Sequence, residues 1–291
     1  MKSLALALFV AGCAATAATP APPETPASSF TPTAFSVTVV GTGRPVIFIP
    51  GLASPGSVWD GAVAHLGGHV QAHVLTLAGF AGKPAVAPPF MQQVHDQIVE
   101  YIKAKHLDHV LVVGHSLGGV MALWLAETDP DIAGIVDVDG FPSLAAVEDP
   151  AMTAETAAQM AKGVHDQMAA MTPEQLGAQM KQFLAGMITK PDDLQRMTDA
   201  AAKSDPGTIA TAFGEMIALD LRPNLAKIAM PVTIVAATDS TVPLDKLKST
   251  WHAQVDAIPH VDLEFVGGAK HFVMLDQPDV FDGLLDKALA K

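Results

Sequence analysis

Short, continuously apolar runs rich in valine and isoleucine alternate along the chain with longer stretches in which apolar residues recur every three or four positions. The runs fall at 35–40, 46–49, 74–77, 110–113, 132–138, 232–236 and 262–266. Several lack polar alternation, which predicts strands covered on both faces, and the helical stretches 91–105, 117–127, 244–257 and 279–289 predict what covers them. Strand and helix in alternation imply an α/β fold, a mostly parallel central sheet flanked by helices. Gly41-Thr42-Gly43 joins the first two runs and predicts an antiparallel hairpin at the sheet edge.

The alternation is interrupted once. About ninety residues separate the run ending near Asp139 from the one starting at Val232, where a crossover needs only a few tens. Within the gap, Thr172-Pro173-Glu174-Gln175 is a capping box with proline at the first helical position. Leu176, Met180, Phe183, Leu184, Met187 and Ile188 then share one face, and Ile209, Phe213, Met216 and Ile217 repeat that spacing. The interval 144–227 is therefore read as an inserted helical cap, and 35–143 with 228–291 as the core. Eight of the thirteen methionines lie between Met152 and Met216, and methionine adapts to irregular apolar shapes. Most of them are expected to pack cap helices, and the cap as a whole to roof an apolar pocket.

Ahead of the core, Lys2 precedes an apolar run, Leu4 to Ala11, too short to span a bilayer. The run ends Val10-Ala11-Gly12-Cys13, which resembles a bacterial lipobox and holds the only cysteine of the chain. Residues 1–12 are read as a lipoprotein-type signal peptide and Cys13 as the lipidation site, with later cleavage in the alanine-rich stretch 14–18 as the alternative. Residues 13–34, rich in Ala, Thr and Pro, read as an extended tether, able at about 3.1 Å per residue to reach roughly 60 Å. This predicts an exported protein held to the cell envelope by lipid, or otherwise periplasmic or secreted, with no other membrane contact.

With 17 basic and 30 acidic side chains the net charge is −13, which disfavours nucleic acid and anionic lipid surfaces as partners. A lone cysteine rules out an intramolecular disulfide and a cysteine-based zinc site. His65, His69 and His73 recur at intervals of four, but Gly67-Gly68 breaks the helix that would align them on a metal, so no metal site is assigned.

The chemistry-bearing motif follows the run at 110–113: Gly114-His115-Ser116-Leu117-Gly118-Gly119, then a helical pattern. A G-x-S-x-G between strand and helix forces a sharp turn that lifts the serine hydroxyl clear of the sheet. Gly114 and Gly118 permit the near contact the turn imposes, and the first helical N–H groups point where an oxyanion develops, which makes Leu117 N–H the first donor. His115 is read as a buttress of this elbow. A serine hydroxyl needs a base, and the base needs a carboxylate. In sheets of this kind both follow the nucleophile on later loops. Asp239, after 232–236, and His271, after 262–266, fit that order.

Residues 35–291 resemble the α/β-hydrolase superfamily, specifically its cap-bearing esterase and cofactor-free haloperoxidase-like branch. The resemblance is carried by the elbow, by Asp239-x-x-Val242-Pro243 and by Gly268-Ala269-Lys270-His271-Phe272. It implies the α/β-hydrolase fold and a triad of Ser116, His271 and Asp239. Asp137 and Asp139 are the competing acids, set behind Asp239 by its motif. The segment 46–52 resembles the family's oxyanion segment, with Pro50 where a histidine is common, and Leu52 N–H is assigned as second donor. Trp59 matches a packing aromatic of the helix that follows.

The function these residues imply is a serine hydrolase of the carboxylesterase type, acting without cofactor on small-molecule esters of short to medium acyl chain. Serine at the elbow, in place of aspartate, excludes a haloalkane dehalogenase. A peptidase, thioesterase, lactonase or perhydrolase on the same triad is the near alternative, and a non-catalytic, lipid-tethered binding protein the distant one. Turnover is expected to rise with pH as the base loses its proton. Oligomeric state is not encoded in any pattern of this chain.

Overall fold

The computed structural model describes residues 30–239 and 241–291; Cys13, the leader and most of the tether lie outside the described residues. Seven strands, β1 (Phe35–Val40), β2 (Arg44–Ile49), β3 (Val70–Leu77), β4 (Val110–His115), β5 (Ile132–Val138), β6 (Val232–Ala237) and β7 (Val261–Val266), form one sheet in the order β1-β3-β2-β4-β5-β6-β7. Every pairing is parallel except β1 with β3. β4 and β6 are buried along their whole length, as an apolar run with helices on both faces requires. Against the sheet pack α1 (Asp60–His65), α2 (Phe90–Lys105), α3 (Leu117–Thr128), the helix Leu244–Val255, and the C-terminal helix Pro278–Leu289. Trp59 is fully buried between Phe48 and Phe281, with ring centroids 5.5 and 5.9 Å away.

The expected hairpin does not form. β1 and β2 lie on opposite sides of β3, so 41–43 crosses over the start of that strand instead of folding back beside it. The two glycines are what let backbone pass over backbone. A Cβ on Gly41 would meet Val70 O at 2.3 Å and one on Gly43 would meet His69 O at 2.5 Å, and both residues have positive φ (79° and 117°). Thr42 N–H donates to Gly68 O and secures the crossing.

Between β5 and β6 the chain forms α4 (Ala145–Glu148), α5 (Ala154–Ala169), α6 (Pro173–Met187), α7 (Pro191–Ala201) and α8 (Pro206–Ala218). α6 carries the complete capping box, Thr172 accepting from Gln175 N–H while the Gln175 side chain accepts from Thr172 N–H. These helices are tied to the core by polar contacts as well as apolar ones. Glu215 on α8 accepts from Phe90 and Met91 N–H and so caps α2, and Asp205 N–H donates to Gly79 O. Asp276 accepts from Thr189 N–H and Oγ1 on one side and from Lys270 N–H on the other. Asp276 thus bridges the insertion to the loop that carries His271.

The spaced histidines diverge. His65 meets Asp282 and Asp286 at the surface. His73 is buried against Tyr101 Oη (2.8 Å) and Gln71 Oε1, and burial depresses its pKa to about 4, so it is neutral.

Candidate active site

At the end of β4 the backbone turns through Ser116 with φ 53° and ψ −116°, a strained conformation for a residue with a side chain. Close packing holds it there. Ser116 N–H donates to Val138 O, a Cβ on Gly114 would lie 2.0 Å from Gly118 O, and one on Gly118 would lie 2.2 Å from Ile49 O. The N–H of Leu117, first residue of α3, and the N–H of Leu52, in the turn after β2, have no protein acceptor among the described residues. Ser116, Leu52 and His271 line one cavity of about 280 Å³, otherwise walled mainly by apolar groups including Val120, Phe183, Phe213 and Met216.

His271 sits on the loop after β7, and that loop is fixed on several sides. Asp239 N–H donates to Ala269 O, Phe272 N–H to Met187 O, and His115 Nε2 to His271 O at 3.1 Å. The His115 ring is wholly buried against the rings of His271 and Phe272. Burial first, and the nearby His271 second, keep it well below the usual histidine range, so it is a neutral brace and not a base. The Ser116 hydroxyl and the His271 ring face the same cavity without a direct hydrogen bond within 3.5 Å, a separation that substrate binding commonly closes.

The expected acid is not the residue that meets this histidine. His271 Nδ1 is hydrogen-bonded to Asp139 Oδ2 at 2.6 Å, whereas the Asp239 carboxylate is exposed and makes no hydrogen bond to the ring. Asp139 also accepts from Ala237 N–H through Oδ1, which holds the carboxylate between the ends of β5 and β6. The cause is backbone geometry at the end of β5. Asp139 adopts a left-handed conformation (φ 57°), one that aspartate tolerates better than most residues, and Gly140 follows it. Asp137, two residues earlier and wholly buried, accepts from Gly140 N–H at 2.9 Å and pins the turn. Burial raises the Asp137 carboxyl well above the usual range; the hydrogen bond from Gly140 N–H opposes this and the neighbouring Asp139 adds to it. The run Asp137-Val138-Asp139-Gly140 carried the available signal: an aspartate before glycine at a strand end favours positive φ.

Gly119 belongs to this arrangement. A Cβ there would stand 1.9 Å from Asp137 Oδ1 and 3.2 Å from Gly140 Cα. Gly119→Ala is expected to cost about 3 kcal/mol of stability through overpacking, read in a urea titration. A change below about 1 kcal/mol would mean that the Asp137 turn yields freely.

The mainly parallel sheet, the serine at a strained strand-to-helix turn and the histidine on the loop after the last strand define the α/β-hydrolase fold. Residues 46–283 match the model of the alpha/beta hydrolase family, and the chain belongs to that family. Among curated relatives, the chain is 24% identical over 258 residues to pimeloyl-[acyl-carrier protein] methyl ester esterase of Aliivibrio salmonicida, covering 83% of this chain and 90% of that one. It is 21% identical over 248 residues to 3-oxoadipate enol-lactonase 2 of Acinetobacter baylyi, covering 84% and 88%. A solved structure of a thermophilic esterase from Thermogutta terrifontis superposes with a TM-score of 0.72 at 18% identity, over 88% of this chain and 93% of that one.

Proposed function

We propose that the protein is a serine carboxylesterase acting through an acyl-enzyme, with Ser116 as nucleophile, His271 as base and Asp139 as the acid that orients it. The observation that carries the reading is the short Asp139–His271 hydrogen bond, which places the imidazole beside the cavity that also holds Ser116. With Nδ1–H engaged by the Asp139 side chain, Nε2 is left to act as the base. The Ser116 oxygen attacks the acyl carbon and its proton passes to His271. The carbon–oxygen bond to the alcohol breaks as His271 returns that proton to the leaving oxygen. Water then repeats the sequence and releases the acid. The Leu52 and Leu117 N–H groups receive the negative charge of each tetrahedral intermediate. With the reading of residues 1–13 above, this enzyme acts outside the cytoplasm, held to the envelope by lipid on Cys13.

An acyl chain of short to medium length fits the apolar cavity. Phe183, Phe213 and Leu52 also border a smaller apolar space of about 90 Å³, shared with Met168 and Met180. The two rings therefore set where the acyl pocket stops. Phe213→Ala is expected to join the two spaces and shift the optimum of a p-nitrophenyl ester series by about two to four carbons, with loss of activity on the shortest ester. An unchanged optimum would place the acyl chain elsewhere. The reaction class is tested with a fluorophosphonate probe. Stoichiometric labelling at Ser116, lost on heat denaturation, is expected; an unlabelled protein that still hydrolyses esters would refute the assignment.

A further inference from the structure

His271 and Asp139 line two adjoining cavities. On one side lies the apolar cavity of about 280 Å³ with Ser116 and Leu52. On the other lies a groove of about 950 Å³ that shares His271 and Asp139 with it but not Ser116 or either oxyanion donor. The linings differ in kind. Glu148, Asp239, Lys246, Thr250 and Lys270 face the larger space beside Val147, Val242 and Leu247, so it adds hydrogen-bond donors and acceptors to a partly apolar lining, where the smaller offers chiefly methyl, thioether and ring surface.

The chemistry of acyl transfer assigns opposite ends of an ester to these two spaces. The carbonyl oxygen must lie at the Leu52 and Leu117 N–H groups, which draws the acyl chain into the apolar cavity. The alcohol oxygen must lie at His271, which protonates it as it leaves. We propose that the larger groove is the subsite for the alcohol half of the substrate, and that this alcohol is a bulky, neutral polyhydroxyl group such as a sugar. Two lysines against two carboxylates, beyond the paired Asp139, leave the groove with little net charge, which favours a hydroxyl-rich group over a strongly anionic or cationic one. An apolar alcohol would forgo the hydrogen bonds that the half-buried Thr250 and Lys270 and the exposed Glu148, Asp239 and Lys246 offer to hydroxyls. The exposed Asp239, displaced from the role of acid, here becomes part of the wall that recognises substrate.

This subsite rests on the esterase reading, and the test separates the two. Three butyrate esters are compared on the full-length protein: methyl butyrate, 6-O-butyrylglucose and cyclohexylmethyl butyrate, which matches the sugar in ring size but carries no hydroxyls. The expected order of kcat/KM places the glucose ester at least tenfold above both others. Thr250→Trp, which fills the groove from its helix, is expected to lower the ratio of glucose-ester to methyl-ester kcat/KM at least tenfold. Lys246→Ala, at an exposed position that tolerates truncation, is expected to lower it threefold to tenfold through KM. Methyl-ester turnover with no preference for the glucose ester, or with the cyclohexylmethyl ester equal to it, would overturn the subsite and leave the esterase standing. The same holds if both variants leave the ratio unchanged. No turnover of any ester together with no fluorophosphonate labelling of Ser116 would overturn both.

Discussion

Asp139→Asn should lower kcat by about 10³–10⁴-fold, while Asp239→Asn should leave it within about threefold. The first number follows from the task of the carboxylate. It holds His271 with Nδ1–H toward the acid and stabilises the imidazolium formed in each transition state, and an amide in its place favours the wrong tautomer. Asp139 performs that task at 2.6 Å and is braced by Ala237 N–H, so the amide would also lose a charge-assisted contact. Asp239 touches the same loop only through its backbone N–H to Ala269 O, and that bond survives the substitution. The paired measurement is steady-state kinetics on one p-nitrophenyl ester, with melting temperature recorded for each variant. The reverse ranking would return the acid to the D-x-x-V-P motif.

Replacing the nucleophile should have the larger effect. Ser116→Ala is expected to reduce kcat on the order of 10⁶-fold, leaving only what oriented binding and the two oxyanion donors supply. Its fold should be intact, because Ser116 is held by its backbone: N–H to Val138 O, and its C=O accepting from Val120 N–H. A second substitution separates chemistry from strain. Ser116→Gly removes the same hydroxyl but relaxes φ 53°, ψ −116°, and should raise stability above that of the alanine variant by about 1 kcal/mol after the entropy of an added glycine is counted. Thermal melts of the three proteins measure this directly. A glycine variant no more stable than the alanine variant would show that the elbow is not a strained turn.

The parts of this molecule that could be read in its sequence are those whose physics is local. Uninterrupted valine and isoleucine runs became the buried strands β4 and β6, and the capping box at Thr172 starts a helix where it stands. The glycines of the elbow announce a close approach within five residues of chain. What stayed hidden depends on which segments become neighbours. The turn at 41–43 has the glycines of a hairpin, yet it spans β3, and nothing in three residues says whether a strand will later enter between two others. The acid poses the same problem at the site. The ends of β5 and β6 lie side by side, both bear an aspartate, and the loop after β7 can reach either. The choice falls to one positive φ at Asp139 and a buried carboxyl at Asp137 that stabilises it. The meeting of the two cavities is likewise a product of packing, since Met187 on α6 and Phe141 after β5 line both of them.

Ester hydrolysis by this protein is expected to proceed through an acyl group carried on Ser116. Enzyme mixed with excess p-nitrophenyl butyrate, quenched in acid within the first turnovers and digested, should yield the peptide containing Ser116 with a butyryl mass increment on that serine. Release of p-nitrophenol at the wild-type rate with no acylated peptide at any quench time, or with the acyl group on another residue, would contradict the account.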